Sequence, residues 1–165
     1  MLRDRQRSSM HPAVRLTRRA EGGFRMEGVA AAPIEGVPDA TGFVVTGAGP
    51  WRLRWSVTER GWLLTSVESD PAVEVGRTTS VGLEPVLSPS SVLLADGRLF
   101  RLAMLGASAP RGELGRWDVP GAYLVGRAVA GAWELERTVA GKALMVPPEL
   151  WILVCVEIGR LDGWY

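Results

Sequence analysis

Apolar residues form one unbroken run near the carboxyl end of this chain, at residues 150–156. Pro147, Pro148 and Glu149 come directly before the run. Proline is tolerated in a first helical turn, and the carboxylate of Glu149 complements the positive end of the helix dipole. We therefore expect a helix over residues 148–161. Because this helix has no polar stripe, it has to be enclosed on all sides.

The length of this helix matches the height of a wall of short strands. A helix of about 14 residues is about 21 Å long at 1.5 Å per residue. A strand of about six residues reaches about 20 Å at 3.3 Å per residue. A bilayer needs about 20 consecutive apolar residues, so we expect no transmembrane segment here. The helix is instead expected to fill a barrel made by the strands that precede it.

Before the helix, apolar and polar residues alternate with a period of two, which is typical of half-buried strands. The clearest case is WRLRWSV, residues 51–57, in which tryptophan, leucine and valine alternate with arginine and serine. Asp96-Gly97 lies between two apolar stretches and predicts a hairpin with a type I′ turn. By these patterns we expect strands at residues 43–45, 51–57, 62–67, 72–75, 91–95, 98–105, 114–118, 122–130, 133–139 and 143–146.

Strands at hairpin spacing followed by a single helix exclude a doubly wound α/β fold, which needs alternating helices. The expected fold class is mainly β, an antiparallel β-barrel of short strands enclosing a hydrophobic C-terminal α-helix. Residues 1–23 are rich in arginine without apolar periodicity, so we expect a flexible N-terminal arm there and one barrel domain over residues 24–165. A PH-like half-barrel also fits the strands, but its capping helix should be amphipathic.

Composition removes several kinds of chemistry. Cys155 is the only cysteine, so an internal disulfide is impossible, and His11, the only histidine, lies in the expected arm. Ser-His-Asp catalysis, Cys-His catalysis and histidine-built metal sites are therefore not expected. No phosphate loop or dinucleotide fingerprint accompanies the glycines. We expect neither an enzyme nor a cofactor nor a metal.

Arginine is the one abundant residue with binding chemistry. The net charge is only +1, which gives no overall attraction to nucleic acid, so no specific nucleic-acid partner is expected. Guanidinium groups grip phosphate well, whereas on a solvated wall they more often pair with carboxylates. The tryptophans at alternating strand positions are expected to belong to the core. Candidate ligand-binding residues on strands expected to be neighbours are Arg52, Arg54, Arg98, Arg101 and Arg116.

Two stretches resemble the Tubby C-terminal-like superfamily, which includes the phospholipid scramblases and LURP-one-related proteins. WELERTVAGKAL, residues 133–144, is similar to a late strand, turn and strand of those families, and PPELWILVCVEIGRL, residues 147–161, is similar to their central helix. The resemblance covers residues 51–161 and implies a helix-filled barrel and association with lipid or membrane. The phosphoinositide-binding basic residues and the scramblase calcium loop have no counterpart, so no functional residue is carried over.

Three classes of function stay open on the sequence. The first is a non-enzymatic module that binds anionic phospholipid, or another apolar or anionic ligand, at a membrane surface. The second is a protein-interaction or scaffold domain with no small ligand. The third is an enzyme, which the missing catalytic groups disfavour. The arginine-rich N-terminus has no apolar run after it, so we expect it not to be a signal peptide. We therefore expect a cytoplasmic location, peripheral to the membrane if lipid is the ligand.

Overall fold

The apolar run forms a single helix in the computed structural model, which describes residues 14–68, 71–80, 90–105, 111–116, 119–137 and 146–165. The helix, α1, spans Pro148–Leu161, as the sequence predicts. Residues 150–159 are all buried, so α1 is enclosed on every side over ten consecutive positions. Within the described ranges, no helix is long and apolar enough to cross a membrane.

Backbone geometry explains why α1 ends where it does. The N–H of Trp164 donates to the carbonyl of Gly159 at 2.9 Å, and the N–H of Gly163 donates to the carbonyl of Arg160 at 3.1 Å. These two bonds form a Schellman motif, which needs a left-handed residue after the helix, and Gly163 supplies it with a φ of 78°. The chain therefore reverses and returns Trp164, which is 9% exposed, to the core.

Twelve antiparallel strands surround α1 in the described part of the chain. Each strand pairs with its neighbours in sequence, and the first strand also pairs with the last, so the sheet forms a closed barrel. The fold class is therefore confirmed. The strands are β1 (Val14–Arg18), β2 (Phe24–Glu27), β3 (Ile34–Pro38), β4 (Gly42–Thr46), β5 (Trp51–Ser56), β6 (Gly61–Ser66), β7 (Val73–Ser80), β8 (Ser90–Leu94), β9 (Leu99–Leu105), β10 (Arg111–Arg116), β11 (Val119–Val129) and β12 (Ala132–Arg137).

Alternation along the strands sends one apolar set inward against α1. The helix packs most against β6, β7, β8 and β2. Where α1 approaches β7 there is room only for glycine: a Cβ at Gly76 would lie 2.7 Å from Cδ1 of Leu153. The buried apolar side chains contributed by the strands include Leu16, Phe24, Met26, Ile34, Leu53, Leu64, Phe100, Leu102, Leu124, Trp133 and Leu135.

The expected flexible arm over residues 1–23 was wrong for its second half. Val14 and Leu16, at 3% and 0% exposure, are part of the core, and β1 pairs with both β2 and β12. The arginines on this strand concealed a two-residue apolar alternation, which is all that a short strand needs. Residues 1–13, which include His11, lie outside the described residues.

The type I′ turn predicted at Asp96-Gly97 is not found there, and a turn of this type occurs between β11 and β12 instead. Asp96-Gly97 does not form a type I′ turn, because only Gly97 has a positive φ, 89°. The N–H of Gly97 donates to the carbonyl of Leu94, so the loop is a three-residue turn closed by a left-handed glycine. Between β11 and β12, Ala130 and Gly131 both have positive φ, 49° and 79°, as a type I′ turn requires.

Several strands differ from the predicted list. Three strands were missed at the amino end (β1, β2 and β3), since glycine, proline and charge interrupt their apolar alternation. Strands β7 and β11 are longer than expected. The strand expected at residues 143–146 falls almost wholly outside the described residues, as does Trp117. The tryptophans expected in the core divide: Trp62 and Trp133 are buried, whereas Trp51 and Trp55 are half-buried against it.

Replacing Leu16 tests whether β1 is a structural strand. Leu16→Ala should cost about 2–5 kcal/mol of the free energy of unfolding, because it leaves a cavity in a closed core. Thr17→Ala, on the outward face of the same strand, should change it by no more than about 0.5 kcal/mol. Urea denaturation measures both. Equal small effects would contradict the placement of β1 in the barrel.

The contact between β7 and α1 gives a second test. Gly76→Ala should cost about 1–3 kcal/mol, because the new methyl group overpacks against Leu153. In a Leu153→Ala background the same change should cost clearly less, since the collision is gone. A double-mutant cycle by chemical denaturation measures this coupling. Additive effects of the two substitutions would show that the helix does not lie against Gly76.

Candidate functional site

Polar and aromatic groups gather at one end of the barrel, here called the C-terminal mouth. It is the end where α1 terminates, and where the turns at residues 19–23, 39–41 and 57–60 join β1 to β2, β3 to β4 and β5 to β6. Each of these turns links antiparallel neighbours, so they fall on the same rim. The C-terminal mouth is therefore the place to look for function in a barrel whose interior is filled by a helix.

A buried carboxylate lies inside this mouth. Glu157 is 0% exposed and accepts a hydrogen bond of 2.8 Å from the hydroxyl of Ser90 on β8. Arg160, one turn further along α1, binds both carboxylate oxygens of Glu157. The guanidinium of Arg160 also lies 5.2 Å from the ring centroid of Trp55, a cation–π contact at the rim.

A second hydrogen bond ties the end of the helix to the barrel. The indole N–H of Trp133, a fully buried residue of β12, donates to Oδ2 of Asp162 at 3.2 Å. Asp162 is the residue at which α1 ends. The position of the helix end, and with it the geometry of the mouth, is therefore fixed by side chains from both sides.

Next to these polar groups, rings form a continuous cluster. Phe43 lies 5.5 Å from Trp62 and 5.0 Å from Tyr165, measured between ring centroids. Trp62 in turn makes edge contacts with Trp55 at 5.3 Å and with Tyr165 at 6.0 Å. Edge and tilted arrangements of this kind are the favourable ones for aromatic pairs. Tyr165 covers the cluster, and the residue is 39% exposed.

Of the two N–H groups of Trp62, the backbone one has a hydrogen-bond acceptor and the indole one has none in the described part of the chain. The hydroxyl of Thr78 on β7 accepts a bond of 2.8 Å from the backbone N–H of Trp62. The indole Nε1 of Trp62 is buried, yet it has no hydrogen-bond partner among the described residues. Buried indole N–H groups normally find an acceptor. Trp62 therefore carries an unused donor at the mouth.

Burial shifts the pKa of two groups in this region. Burial, followed by the nearby Cys155 and Glu157, raises the pKa of the Tyr165 phenol above its ordinary value, while the guanidinium of Arg18 acts in the opposite direction. The phenol is therefore neutral near pH 7 and lies within electrostatic range of Arg18. Burial also raises the pKa of the Cys155 thiol, which stays protonated and inert in the core. The described residues contain no cluster of His, Cys, Asp and Glu able to hold a metal.

The structure does not bring the predicted arginines together. Arg52 and Arg54 lie on β5, but β6, β7 and β8 separate them from Arg101 on β9. At about 4.8 Å per strand the separation is roughly 19 Å around the wall. The expectation that these arginines lie on neighbouring strands was therefore wrong. Arg116 ends β10 opposite Phe100, and its side chain is outside the described set.

Two of the predicted arginines are engaged in turns. Arg52 pairs with Asp39 at 3.3 Å. Hydrogen bonds from the backbone N–H groups of Thr41 and Gly42, together with this guanidinium, lower the pKa of Asp39. Arg98 binds Asp96 in its own turn at 2.7 Å, at the opposite end of the barrel. These two guanidinium groups stabilise loops and are less available to a ligand.

Unpaired guanidinium groups do occur around the C-terminal mouth. Arg18, Arg54 and Arg60 are exposed, and among the described residues none of their side chains has an ion pair or hydrogen bond. Glu59, the nearest acidic residue in the β5–β6 turn, is paired with Arg77 at 3.3 Å. The sequence prediction included Arg54 and missed the other two, since strand order decides which arginines share an end of the barrel.

The tip of the β5–β6 turn is apolar as well as basic. Val57 is 82% exposed, the largest exposure among the large apolar residues of the described chain. Trp55, just before it, is half-buried under Arg160. A single exposed apolar side chain is common on protein surfaces, so Val57 is of interest only because guanidinium groups lie beside it.

Elsewhere the outer wall carries complementary charges. Arg25 pairs with Glu27 and Glu35, both at 2.9 Å. Glu134 lies in register between Arg15 and Arg127, so the carboxylates of β12 face arginines on both neighbouring strands. This pattern agrees with the solvated-wall interpretation of most arginines, although Arg101 and Arg137 are also exposed without an ion pair among the described residues.

The opposite end of the barrel offers little room for a ligand. Two hollows of about 230 and 260 Å³ lie there beside the β8–β9 turn. A third, of about 140 Å³, is lined by residues from β1, β12 and the start of α1, and Arg137 is its charged residue. Each is smaller than a usual ligand pocket, which measures about 300–1,000 Å³. We therefore centre the candidate site on the C-terminal mouth.

Removing Arg160 should test the pairing inside the mouth. Arg160→Met leaves the Glu157 carboxylate buried with Ser90 alone and should cost about 3–5 kcal/mol of unfolding free energy. The double variant Glu157→Met/Arg160→Met should recover most of this loss. Arg77→Met, which breaks exposed pairs, should cost no more than about 1 kcal/mol. A loss for Arg160→Met no larger than that control, in urea denaturation, would contradict the buried pair.

Comparison with known proteins leaves this geometry to be interpreted from its own chemistry: no protein-family model, no curated protein and no solved structure matches the chain.

Proposed function

We propose that this protein is a non-enzymatic binding module that attaches to an anionic phospholipid surface through its C-terminal mouth, on the cytoplasmic side of a membrane. The observation that carries the proposal is the set of exposed guanidinium groups of Arg18, Arg54 and Arg60, which have no partner among the described residues. Arg54 and Arg60 flank the turn whose tip carries Val57, and Arg18 lies four strands away at the same end of the barrel. The interior offers no comparable opening, because α1 fills it.

Charge supplies most of the proposed attraction. An arginine close to an anionic leaflet contributes about 1 kcal/mol, so three acting together give about 3 kcal/mol, roughly a hundredfold in affinity. Glu21 is exposed in the same turn region as Arg18 and offsets part of this. Attachment by these groups is therefore weak and strongly dependent on salt, because the Debye length falls from about 10 Å at 0.1 M to about 3 Å at 1 M.

Shape supports the same end of the barrel. Val57 projects from the tip of the β5–β6 turn, where it can enter the headgroup region while the guanidinium groups stay in contact with phosphate. Trp55 and Tyr165 lie behind this tip, and aromatic residues with a polar edge favour the membrane interface. Of the arginines predicted from the sequence, only Arg54 belongs to this proposed surface.

Co-sedimentation with liposomes tests the proposal directly. Vesicles of phosphatidylcholine are compared with vesicles that also contain phosphatidylserine, at low and at high salt. Wild-type protein should bind only the anionic vesicles and only at low salt. Arg54→Gln/Arg60→Gln should weaken binding by about thirtyfold, the equivalent of about 2 kcal/mol.

A matched control keeps the net charge equal. Arg101→Gln/Arg137→Gln removes two other exposed arginines that are unpaired within the described ranges: Arg101 lies four strands from Arg54 around the wall, and Arg137 ends β12 at the opposite end of the barrel. Its binding should stay close to that of the wild-type protein. Equal losses in both double variants would mean that net charge alone attracts the vesicles. Absence of any binding to anionic vesicles at low salt would reject lipid attachment and favour a protein-interaction domain.

A further inference from the structure

Beside the charged rim, the ring of Tyr165 occupies a slot with three distinct walls. Phe43 and Trp62 form two sides, with centroids 5.0 Å and 6.0 Å from the tyrosine ring. The third side is the backbone of α1 at Gly159, where any Cβ would collide with the Tyr165 hydroxyl. The slot therefore fits a planar ring whose edge rests on a helix position that only glycine leaves open.

Tyr165 is held in this slot by few interactions. Its ring contacts are the aromatic ones with Phe43 and Trp62, and the hydroxyl makes no hydrogen bond to any described residue. The preceding residue, Trp164, is anchored independently by burial and by its N–H bond to Gly159. Withdrawal of the Tyr165 ring therefore leaves the end of α1 in place and opens the slot to solvent.

Trp62, one wall of the slot, carries a donor that Tyr165 does not use. The indole N–H of Trp62 is buried without an acceptor among the described residues. Leaving a buried donor unsatisfied costs free energy that an incoming acceptor would recover. A ring that carries an acceptor in reach of this group therefore gains an interaction that the tyrosine ring lacks.

We propose that the slot between Phe43, Trp62 and Gly159 is a binding site for a planar aromatic ligand with a carboxylate or similar acceptor, and that Tyr165 is its resident, exchangeable occupant. Ring contacts select the aromatic body, and the Trp62 N–H selects the acceptor. This proposal is independent of lipid attachment, since it needs neither Arg54 nor Arg60.

Two probes separate the ring from the acceptor: 4-methylphenol, which reproduces the tyrosine side chain, and 4-hydroxyphenylacetate, which adds a carboxylate. Tyr165→Ala empties the slot, whereas Tyr165→Phe keeps it filled. Titration followed by the Trp62 indole N–H signal in nitrogen-15 NMR, assigned with Trp62→Phe, measures occupancy. We expect 4-hydroxyphenylacetate to bind Tyr165→Ala at least tenfold more tightly than it binds the wild-type protein or Tyr165→Phe.

The role of the ligand's acceptor group can be tested separately. In Tyr165→Ala, the carboxylate probe should bind more tightly than 4-methylphenol, and adding Trp62→Phe should remove that advantage. Isothermal titration calorimetry measures both affinities in this pair of variants, because the Trp62→Phe protein lacks the indole signal. If Tyr165→Ala proves unstable, displacement of Tyr165 in the wild-type protein is followed instead, as loss of the nuclear Overhauser effect between Tyr165 and Phe43 at high probe concentration. No saturable shift in Tyr165→Ala, or no displacement in the wild type where that variant is unfolded, overturns the proposal. An equal affinity of both probes overturns it as well.

Discussion

Enclosure of a helix that is apolar on every side is the constraint on which this structure depends. Outside the barrel, α1 would expose ten consecutive positions that are now buried. Without α1, the inward side chains of the strands would surround an empty apolar space, which proteins avoid because unfilled volume loses packing contacts. Neither part is stable alone. The consequence for function is that polar chemistry is excluded from the interior and appears where the helix ends.

The residues of the C-terminal mouth show how polar groups are excluded from the interior of the barrel. Glu157 is the one charged residue among the buried ones of the described chain, and it is retained only with Ser90 and Arg160 as partners. Closer to solvent, rings replace carboxylates, and at the rim arginines lie without partners. Polarity thus increases in steps from the helix axis outward. The apolar slot around Tyr165 therefore lies beside the basic rim. The first is the proposed site for an aromatic ligand, and the second is the proposed site for phospholipid.

The helix could be predicted to the residue, because an unbroken apolar run directly after two prolines is a local signal. The strands β1, β2 and β3 could not, since Val14 and Leu16 are a two-residue alternation among arginines. The candidate site was harder still. The bond between Ser90 and Glu157 joins residues 67 positions apart, and the distance between Arg54 and Arg101 depends on how many strands separate them. Sequence patterns predict faces of strands well, but strand order and closure decide which faces meet.

Closure between β1 and β12 has a consequence for synthesis on the ribosome. Val14 pairs with Leu135, so the first strand of the barrel waits for nearly all of the others before its second neighbour exists. The helix that fills the interior is translated after both. Hairpins can form early because their partners are adjacent in sequence, whereas the closing pair and the core come last, and such long-range contacts fold slowly. Until then, the emerging chain carries an open sheet with an exposed apolar face, which makes it a natural client for chaperones.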